Sequence, residues 1–320
     1  MENTISGTYV AIVTPMQRDG NRLKHAINYD AAMKLLDFLA RNNVDGFVIC
    51  GCTGADALLE HKEQIKFIRR CNLMVPELEK AYGQPFLVIA GDGSNFTYEA
   101  VELAKRVEGE TGVMHHLQIS PYKVKPTQQG IIEHYSEVAK GIEGKIIMYS
   151  VNGRTGGLGI LPATALELAQ HPQIIAIKEA SAGARGNNEK ENVARAREVM
   201  ESVKAGNLDF TVLSGDDDAT VEMIKYGATG VISVAANVDP YKVSEMVKAA
   251  LKGDNVTAKE YHDELTPLFK GLFTENNPQD VMYALYCRGL DVGVPRLPLR
   301  EPTQEAKSNI KRVIELMGRP

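Results

Sequence analysis

The chain has 320 residues, of which 44% are hydrophobic and 24% are charged, and its formal net charge is -5 at pH 7. This composition is typical of a soluble globular protein with a real core. The negative charge, without any run of lysine and arginine, argues against a nucleic-acid-binding surface. No apolar run approaches the roughly 20 residues that a membrane span needs.

The first residues and the cysteines indicate the compartment. The segment Met1–Thr4 is polar, so we expect no signal peptide. The cysteines form no CxxC pair and no repeated metal-ligand spacing, although a Cys-Gly-Cys segment could in principle hold a soft metal. They are Cys50, Cys52, Cys71 and Cys287. We therefore expect a reduced, cytoplasmic protein without a metal site.

Short apolar runs rich in β-branched residues recur along the chain, each bounded by glycine, proline or aspartate. They are nearly continuous in apolar character rather than alternating, which is the pattern of strands buried on both faces. The eight predicted strands are Tyr9–Pro15, Gly46–Cys50, Phe86–Ala90, Leu117–Ser120, Lys145–Ser150, Ile174–Ile177, Phe210–Ser214 and Gly230–Val234.

Helical patterns lie between the predicted strands. Apolar residues recur at i, i+3, i+4 and i+7 and form one stripe on each helix. Three such sets are Ala32, Leu35, Leu36 and Leu39; Ala100, Leu103, Ala104 and Val107; and Ala196, Val199, Met200 and Val203. Alternating strands and helices predict right-handed βαβ units and a parallel sheet. Eight units favour an α/β fold of the (β/α)₈ TIM-barrel type, and periodicity alone leaves an open doubly wound sheet as the alternative.

The chain continues well beyond the last predicted strand. We expect residues 1–235 to form the barrel and residues 236–320 to form a C-terminal helical extension. From Pro240 onward the pattern is helical, with breaks near Gly253–Asp254, Asn276–Pro278 and Gly293–Pro302. These breaks predict about three helices.

Lys178 follows the apolar strand Ile174–Ile177 directly. In a barrel, reactive residues lie at the C-terminal ends of the strands. Desolvation there would lower the lysine pKa, and a neutral amine can attack a carbonyl carbon to form an imine. The alternative is a strand-end lysine that is solvated or paired with Glu179.

Tyr149 ends another apolar strand, and Arg154 follows in the next loop. A tyrosine in this position can transfer protons to a bound intermediate, and a guanidinium can hold a carboxylate in a bidentate fork. The alternative is a packing tyrosine with a satisfied hydroxyl and an ordinary loop arginine.

Three further segments follow predicted strands. Gly51–Gly54 could expose backbone N–H groups as a nest for an anion, or it could be a plain tight turn. Gly91–Phe96 nearly matches a dinucleotide-binding GxGxxG, but Phe96 stands where the third glycine is required. Asp216–Asp218 could suggest a metal, although we expect these carboxylates to cap the next helix.

Together these segments resemble the dihydrodipicolinate synthase / N-acetylneuraminate lyase family over nearly the whole chain. The matching segments are Ala11–Pro15, Gly51–Gly54, Ser120–Tyr122, Tyr149–Gly156, Ile177–Ala180, Leu213–Asp217 and Gly230–Val234. Arg154 and the Ser-Gly-Asp-Asp segment resemble most the branch that condenses pyruvate with aspartate semialdehyde in lysine biosynthesis. The resemblance implies a Schiff-base lyase that needs no cofactor, and a homotetramer built as a dimer of dimers.

The resemblance also implies roles for particular residues. Lys178 would form the imine, Tyr149 would transfer protons, and Cys52 would occupy the position of the relay hydroxyl. Thr53 would hold the pyruvate carboxylate, and Arg154 would hold the carboxylate of the aldehyde substrate. Further substrate contacts would come from Ile232 and Lys123.

Two of these positions depart from the family pattern. Cys52 replaces the first hydroxyl residue of the loop, and Lys123 replaces a tyrosine that reaches across the dimer; Ala55 also replaces an acidic residue. A thiol is a weak hydrogen-bond donor, and a charged lysine cannot accept. Another pyruvate-dependent aldolase or dehydratase acting on a sugar acid therefore remains an alternative, as does a barrel that has lost turnover and serves as a binding protein.

A regulatory site is the last expectation. In lysine-inhibited relatives the end product binds at the tight dimer interface, and the resemblance implies a possible allosteric lysine site at the matching positions here. The alternative is an ordinary polar dimer interface. The matching residues are Asp56, Ala57, His61, Gln64, Asn95, Glu99 and Tyr122.

Overall fold

The computed structural model describes residues 5–18, 23–157, 159–180 and 189–318. Within these ranges parallel strands pair in chain order, and the last strand pairs with the first to close a barrel. The strands are β1 (Gly7–Ala11), β2 (Gly46–Ile49), β3 (Leu87–Gly91), β4 (His115–Ile119), β5 (Lys145–Ser150), β6 (Ile174–Glu179), β7 (Thr211–Ser214) and β8 (Gly230–Ser233).

Helices surround the barrel, and the first eight follow the strands in turn. They are α1 (Tyr29–Ala40), α2 (His61–Tyr82), α3 (Thr97–Thr111), α4 (Gln128–Gly141), α5 (Pro162–Leu168), α6 (Glu189–Ala205), α7 (Thr220–Lys225), α8 (Pro240–Leu251), α9 (Asn255–Gly271), α10 (Gln279–Cys287) and α11 (Gln304–Leu316). The predicted (β/α)₈ barrel with a helical C-terminal extension is confirmed.

Two apolar cores follow from the alternation of side chains along the strands. On β5, Ile146 and Met148 point outward and pack with the helices, whereas Ile147 and Tyr149 belong to the cluster inside the barrel. Because side chains alternate with a period of two, an apolar run with both faces buried fixes which residues enter the interior. This alternation directs Tyr149 into the barrel.

The structure differs from the predicted strand limits at the first strand. The sequence predicts a strand through Pro15, but β1 ends at Ala11. Beyond that point the Val13 N–H donates to Asn237 Oδ1 at 3.3 Å, and the Thr14 hydroxyl donates to the Gly54 carbonyl at 2.7 Å. The segment is as buried as a strand, but its hydrogen bonds go to a side chain and to a loop carbonyl instead of to a neighbouring strand. The apolar character of the sequence therefore predicted too long a strand.

The helical region after β8 contains four helices in the described residues rather than about three. The first, α8, packs against β1 and α7 and completes the eighth βα unit. The other three form the extension, and they are separated at the breaks that the sequence indicates. The division into residues 1–235 and 236–320 remains a prediction. Among the helices in the described ranges, none has the length and apolar character needed to cross a membrane.

Candidate active site

Lys178 and Tyr149 lie side by side inside the C-terminal mouth of the barrel. They are register partners on the neighbouring strands β6 and β5, and their side chains enter the interior on the same face. The Lys178 ammonium nitrogen lies 4.3 Å from the centroid of the Tyr149 ring. Only 4% of Lys178 and 7% of Tyr149 is exposed to solvent, so the amine and the phenol share one nearly dry site.

Burial dominates the electrostatics of Lys178. It lowers the pKa of the amine to about 8, although the carboxylates of Asp216 and Asp217 favour the charged form. An amine with this pKa is neutral far more often at physiological pH than an ordinary lysine, whose pKa is near 10.4. Neutral amines are the nucleophiles of imine formation, so this environment suits the predicted chemistry.

The space beside Lys178 depends on Gly215, which follows β7. A Cβ atom at this position would lie 2.5 Å from the Cβ of Ala180 and 3.1 Å from the Cε of Lys178. The missing side chain therefore leaves room for the lysine stem where it turns into the mouth.

The Cys52 thiol lies close enough to the Tyr149 hydroxyl that each group shifts the pKa of the other. Burial raises the pKa of the Tyr149 phenol well above its ordinary value, and burial also raises the pKa of the Cys52 thiol. Both groups are therefore protonated at neutral pH in the unliganded site, where the thiol is only a weak donor. Within one chain, these surroundings do not make Cys52 a reactive thiolate.

The loop that carries Cys52 and Thr53 is a strained turn. Cys52–Gly54 is a single 3₁₀ turn, flanked by Cys50 with φ of 60° and Ala55 with φ of 52°. Non-glycine residues adopt this left-handed conformation at a cost of about 1 kcal/mol each. Such a turn aims successive backbone N–H groups in one direction and suits the anion nest that the sequence suggested.

Asn277 completes the wall of the mouth beside Thr53. Its side-chain N–H donates to the Thr53 hydroxyl at 2.9 Å, and its backbone carbonyl accepts from an Arg154 Nη2 at 3.4 Å. Asn277 and Thr53 are buried, whereas Arg154 keeps an exposed surface in the mouth. From the sequence we predicted only a helix break at Asn277 and no role for its side chain. The one available signal was a polar residue before proline between two apolar helical patterns.

The other two expected substrate contacts lie in different surroundings. Ile232 is fully buried in the cluster inside the barrel that also contains Tyr149. Lys123 is exposed in the loop between β4 and α4, where its φ is 67°. No hydrogen bond or ion pair joins Lys123 to Lys178 or Tyr149 in the part of the chain that the structure describes.

The aspartates after β7 do not cap a helix with their side chains. Asp217 accepts hydrogen bonds from the backbone N–H groups of Val234 and Ala235, at 3.0 and 2.9 Å, and from the Ser233 hydroxyl. No side-chain cap is present at the start of the following turn or of α7. The sequence prediction of capping is therefore wrong, and the carboxylate instead ties the loop after β7 to the loop after β8.

The residues of the possible lysine site form one polar cluster at the edge of the mouth. His61 Nε2 lies 3.6 Å from a Glu99 carboxylate oxygen, whose partner oxygen accepts from Ser94. The Asn95 amide donates to the Tyr122 carbonyl at 3.1 Å, and the Gln64 amide donates to the Asp56 carbonyl at 2.8 Å. Burial raises the pKa of the Asp56 carboxyl to about 6. Ala57 lies in the short 3₁₀ turn beside this cluster.

The described ranges contain no group of three or more histidine, cysteine, aspartate or glutamate side chains arranged to hold a metal ion. The glycine-rich segment after β3 is held differently from a dinucleotide loop. A Cβ at Gly93 would lie 2.6 Å from the Ile119 backbone nitrogen, so this glycine serves close packing against β4.

Comparisons with known proteins agree with this geometry. The model of the dihydrodipicolinate synthetase family matches residues 4–317. The chain is 39% identical over 308 residues to 4-hydroxy-tetrahydrodipicolinate synthase of Haloarcula marismortui, covering 96% of this chain and 92% of the relative.

Solved structures give the same result. A chloride-inhibited dihydrodipicolinate synthase from Acinetobacter baumannii in complex with pyruvate matches with a TM-score of 0.85 and 32% identity, over 98% of this chain and 99% of that one. The synthase of Cyanidioschyzon merolae with lysine bound matches with a TM-score of 0.87 and 30% identity, over 98% of both chains. The chain therefore belongs to the dihydrodipicolinate synthetase family and, as predicted, is an enzyme of the pyruvate-dependent lyase type.

Proposed function

We propose that the chain condenses pyruvate with aspartate semialdehyde through an imine on Lys178. The observation that carries this proposal is a buried amine, with its pKa lowered to about 8, beside the Tyr149 phenol in a barrel mouth. The relatives named 4-hydroxy-tetrahydrodipicolinate synthase support this choice of reaction. The chemistry needs no added cofactor because the imine itself withdraws electrons from the neighbouring carbon.

The steps follow from the groups in the mouth. The neutral amine attacks C2 of pyruvate, and the resulting carbinolamine loses its oxygen as water after a proton arrives from Tyr149. The Tyr149 phenolate then takes a methyl proton, which gives an enamine, and the enamine carbon attacks the aldehyde carbon of the second substrate. The aldehyde oxygen takes the proton from Tyr149 and becomes a hydroxyl. The amino group of the semialdehyde finally attacks the imine carbon, closes the ring and releases Lys178.

The two substrate carboxylates have separate candidate partners. Thr53 and the strained turn around it offer a hydroxyl and backbone N–H groups to the carboxylate of pyruvate. Arg154, at the exposed edge of the mouth, offers a guanidinium to the carboxylate of the semialdehyde. Ile232 would contribute apolar surface beneath the bound intermediate.

A trapping experiment tests the proposal. Borohydride added with pyruvate should reduce the imine and leave a stable adduct on the peptide that contains Lys178, and Lys178→Ala should lose it. Lys145, the partly buried lysine at the start of β5, should remain unlabelled. Label on another lysine, or none at all, would overturn the assignment.

A product assay then tests the second substrate. We expect turnover with pyruvate plus aspartate semialdehyde to exceed turnover with a panel of sugar-acid aldehydes. The departures at Cys52 and Lys123 favour including that panel, because they alter the proton relay expected for the synthase. Higher activity with a sugar-acid aldehyde would support the alternative aldolase, and trapping without any turnover would support the binding protein.

We also propose a homotetramer in which Lys123 of one subunit reaches toward the mouth of its neighbour. Lys123 is exposed, and its backbone is left-handed with φ of 67°. A strained backbone at an exposed residue supports a functional role for this side chain. Sedimentation of the purified protein tests the assembly.

The four cysteines are free thiols, which supports a reducing compartment, and we propose the cytoplasm.

We propose, finally, that L-lysine binds at the cluster around Glu99. Glu99 would bind the α-ammonium group of the ligand, and Asn95 and Tyr122 would contact its carboxylate. The buried Gln64 amide oxygen has no hydrogen-bond partner in the described part of the chain, and it could accept from an ammonium group. The relative from Cyanidioschyzon merolae was solved with lysine bound, which supports this choice of ligand.

A further inference from the structure

The segment between α9 and α10 brings the C-terminal extension into contact with the mouth of the barrel. Asn277 is the residue of this segment that touches the site, and only 4% of it is exposed. Its side-chain N–H donates to the Thr53 hydroxyl at 2.9 Å, across a separation of 224 residues in sequence. A buried contact between the extension and the candidate pyruvate site links the two regions physically.

We propose that Asn277 is a positioning residue that directs the Thr53 hydroxyl proton toward the carboxylate of pyruvate. The proposal rests on the proposed function, in which Thr53 holds that carboxylate. A hydroxyl has one proton to donate and two lone pairs to accept with. Since the amide N–H of Asn277 occupies one lone pair, the Thr53 proton points elsewhere, and no other partner for it is found in the described residues.

The segment around Asn277 is held firmly enough to aim its side chain. The fully buried Asp280 accepts from the backbone N–H groups of Glu275 and Asn276, at 2.7 and 3.1 Å. Gln279 donates to the Glu275 carboxylate at 2.9 Å. These bonds close a tight loop before α10, so the Asn277 amide is presented to Thr53 by a fixed frame rather than by a free chain.

The backbone of Asn277 has a second contact in the mouth. Its carbonyl accepts from Arg154, the candidate for the carboxylate of the other substrate, at 3.4 Å. One residue of the extension therefore touches the groups proposed for both carboxylates, the hydroxyl through its side chain and the guanidinium through its backbone. Substitution of the side chain changes only the first contact, which separates the two effects experimentally.

Two variants test the side-chain contact. Asn277→Ala removes the donor, and we expect KM for pyruvate to rise about 10-fold with a smaller change in kcat, because a well-aimed hydrogen bond to a charged ligand is lost. Asn277→Asp keeps the shape but makes the side chain an acceptor. It would capture the Thr53 proton and repel pyruvate, so KM should rise further, and KM for aspartate semialdehyde should change less than KM for pyruvate.

A double-mutant cycle separates positioning from general damage. In a Thr53→Val background, Asn277→Ala should raise KM for pyruvate no further, because its effect acts through the hydroxyl. Asn276→Ala is the matched control, since its side chain lies in the same loop and makes no hydrogen bond in the described residues. Thermal unfolding of each variant reports whether the fold is retained, and the isosteric substitution Asn277→Asp keeps the test valid if the alanine variant is unstable.

The pyruvate dependence of borohydride trapping gives the deciding readout. We expect half-maximal labelling of Lys178 to require about 10-fold more pyruvate in Asn277→Ala than in the natural chain. The inference is overturned if half-maximal labelling needs the same pyruvate concentration in both Asn277 variants as in the natural chain. It is also overturned if the effects of Asn277→Ala and Thr53→Val on KM for pyruvate are fully additive. If pyruvate never labels the natural chain, the proposed function fails first; labelling that is insensitive to Asn277 overturns only the positioning role.

Discussion

Tyr149 and Lys178 are register partners on adjacent strands, and the lysine nitrogen lies 4.3 Å from the centre of the tyrosine ring. Both side chains are almost completely buried. The tyrosine ring therefore lies beside the amine on which a carbinolamine would form, and burial, which lowers the lysine pKa, also raises the phenol pKa. The same environment thus leaves part of the amine population neutral at physiological pH and keeps the phenol protonated.

The rate of imine formation should rise with pH and level off above about pH 8. Burial lowers the pKa of Lys178 to about 8, and only the neutral amine attacks pyruvate. At pH 7 about a tenth of such lysines are neutral, against less than one in a thousand for an ordinary lysine. Stopped-flow measurement of imine formation from pH 6 to 10 checks this expectation. A midpoint near 10.4 would mean that the amine is not desolvated in solution.

Tyr149→Phe should reduce turnover by about 10²-fold or more while the fold survives, because the ring still packs but the hydroxyl is lost. Tyr9→Phe is the matched control. Tyr9 belongs to the same internal cluster, but its hydroxyl donates to the Ser6 carbonyl at 3.1 Å at the other end of the barrel, so its loss should leave kcat nearly unchanged. Nearly full activity of the Tyr149 variant would remove this hydroxyl from the mechanism.

Cys52→Thr should retain or raise activity with aspartate semialdehyde. The Cys52 thiol lies beside the Tyr149 hydroxyl, and a hydroxyl in the same place both donates and accepts more strongly than a thiol. Steady-state kinetics with both substrates provide the measurement. A large loss of activity would indicate a site rebuilt around sulfur and would favour the sugar-acid alternative.

Local sequence predicted the part of the site that lies on strands. Lys178 and Tyr149 each end a continuous apolar run, so their position at the mouth follows from strand geometry alone. The contact of Asn277 with Thr53 spans 224 residues and depends on how a loop of the extension folds over the barrel. No periodicity encodes such a contact, and a polar residue before proline indicates only a break.

The same reasoning explains the errors at the edges of elements. Val13 and Thr14 are as buried as strand residues, but their hydrogen bonds go to Asn237 and Gly54. Asp217 has the residue type of a helix cap, but it is buried among loop N–H groups of the next unit. In both cases the hydrogen-bond partners are distant in sequence, and hydrogen-bond satisfaction rather than propensity decided the local structure.

The buried histidine His116 on β4 should make stability depend on pH. His116 lies 2.6 Å from an Asp92 oxygen and 3.3 Å from a Glu108 oxygen. Burial opposes its charge, but the two carboxylates prevail and raise the His116 pKa to about 9. Because this value exceeds the ordinary 6.5, its contribution to stability is fully present below pH 6.5 and is lost as pH rises to about 9.

Denaturant unfolding checks this expectation. The quantity to compare is the free energy of unfolding of the natural chain minus that of His116→Gln. This difference should be larger at pH 6 than at pH 9, by up to about 3 kcal/mol. His115→Gln is the control. Burial lowers the pKa of His115 to about 4, so this neighbour is neutral in the folded chain and gains a proton near pH 6 only on unfolding. Its replacement should therefore change the same difference by only about 0.8 kcal/mol, and in the opposite direction. A difference between the natural chain and His116→Gln that does not vary with pH would mean that the imidazole is not charged in the fold.

L-lysine should inhibit partially by binding at the cluster around Glu99, because a ligand that favours a less active state needs only a differential affinity for the two states. Glu99→Ala removes the carboxylate proposed for the α-ammonium group and should abolish inhibition, while turnover without lysine stays within about twofold. Glu102→Ala is the matched control, since Glu102 lies on the same helix and pairs with Lys105 at 3.5 Å on its surface. Calorimetry with millimolar lysine, together with initial rates, provides the measurement. No heat and no change in rate would rule out the site, whereas inhibition that persists in Glu99→Ala would place lysine elsewhere on the molecule.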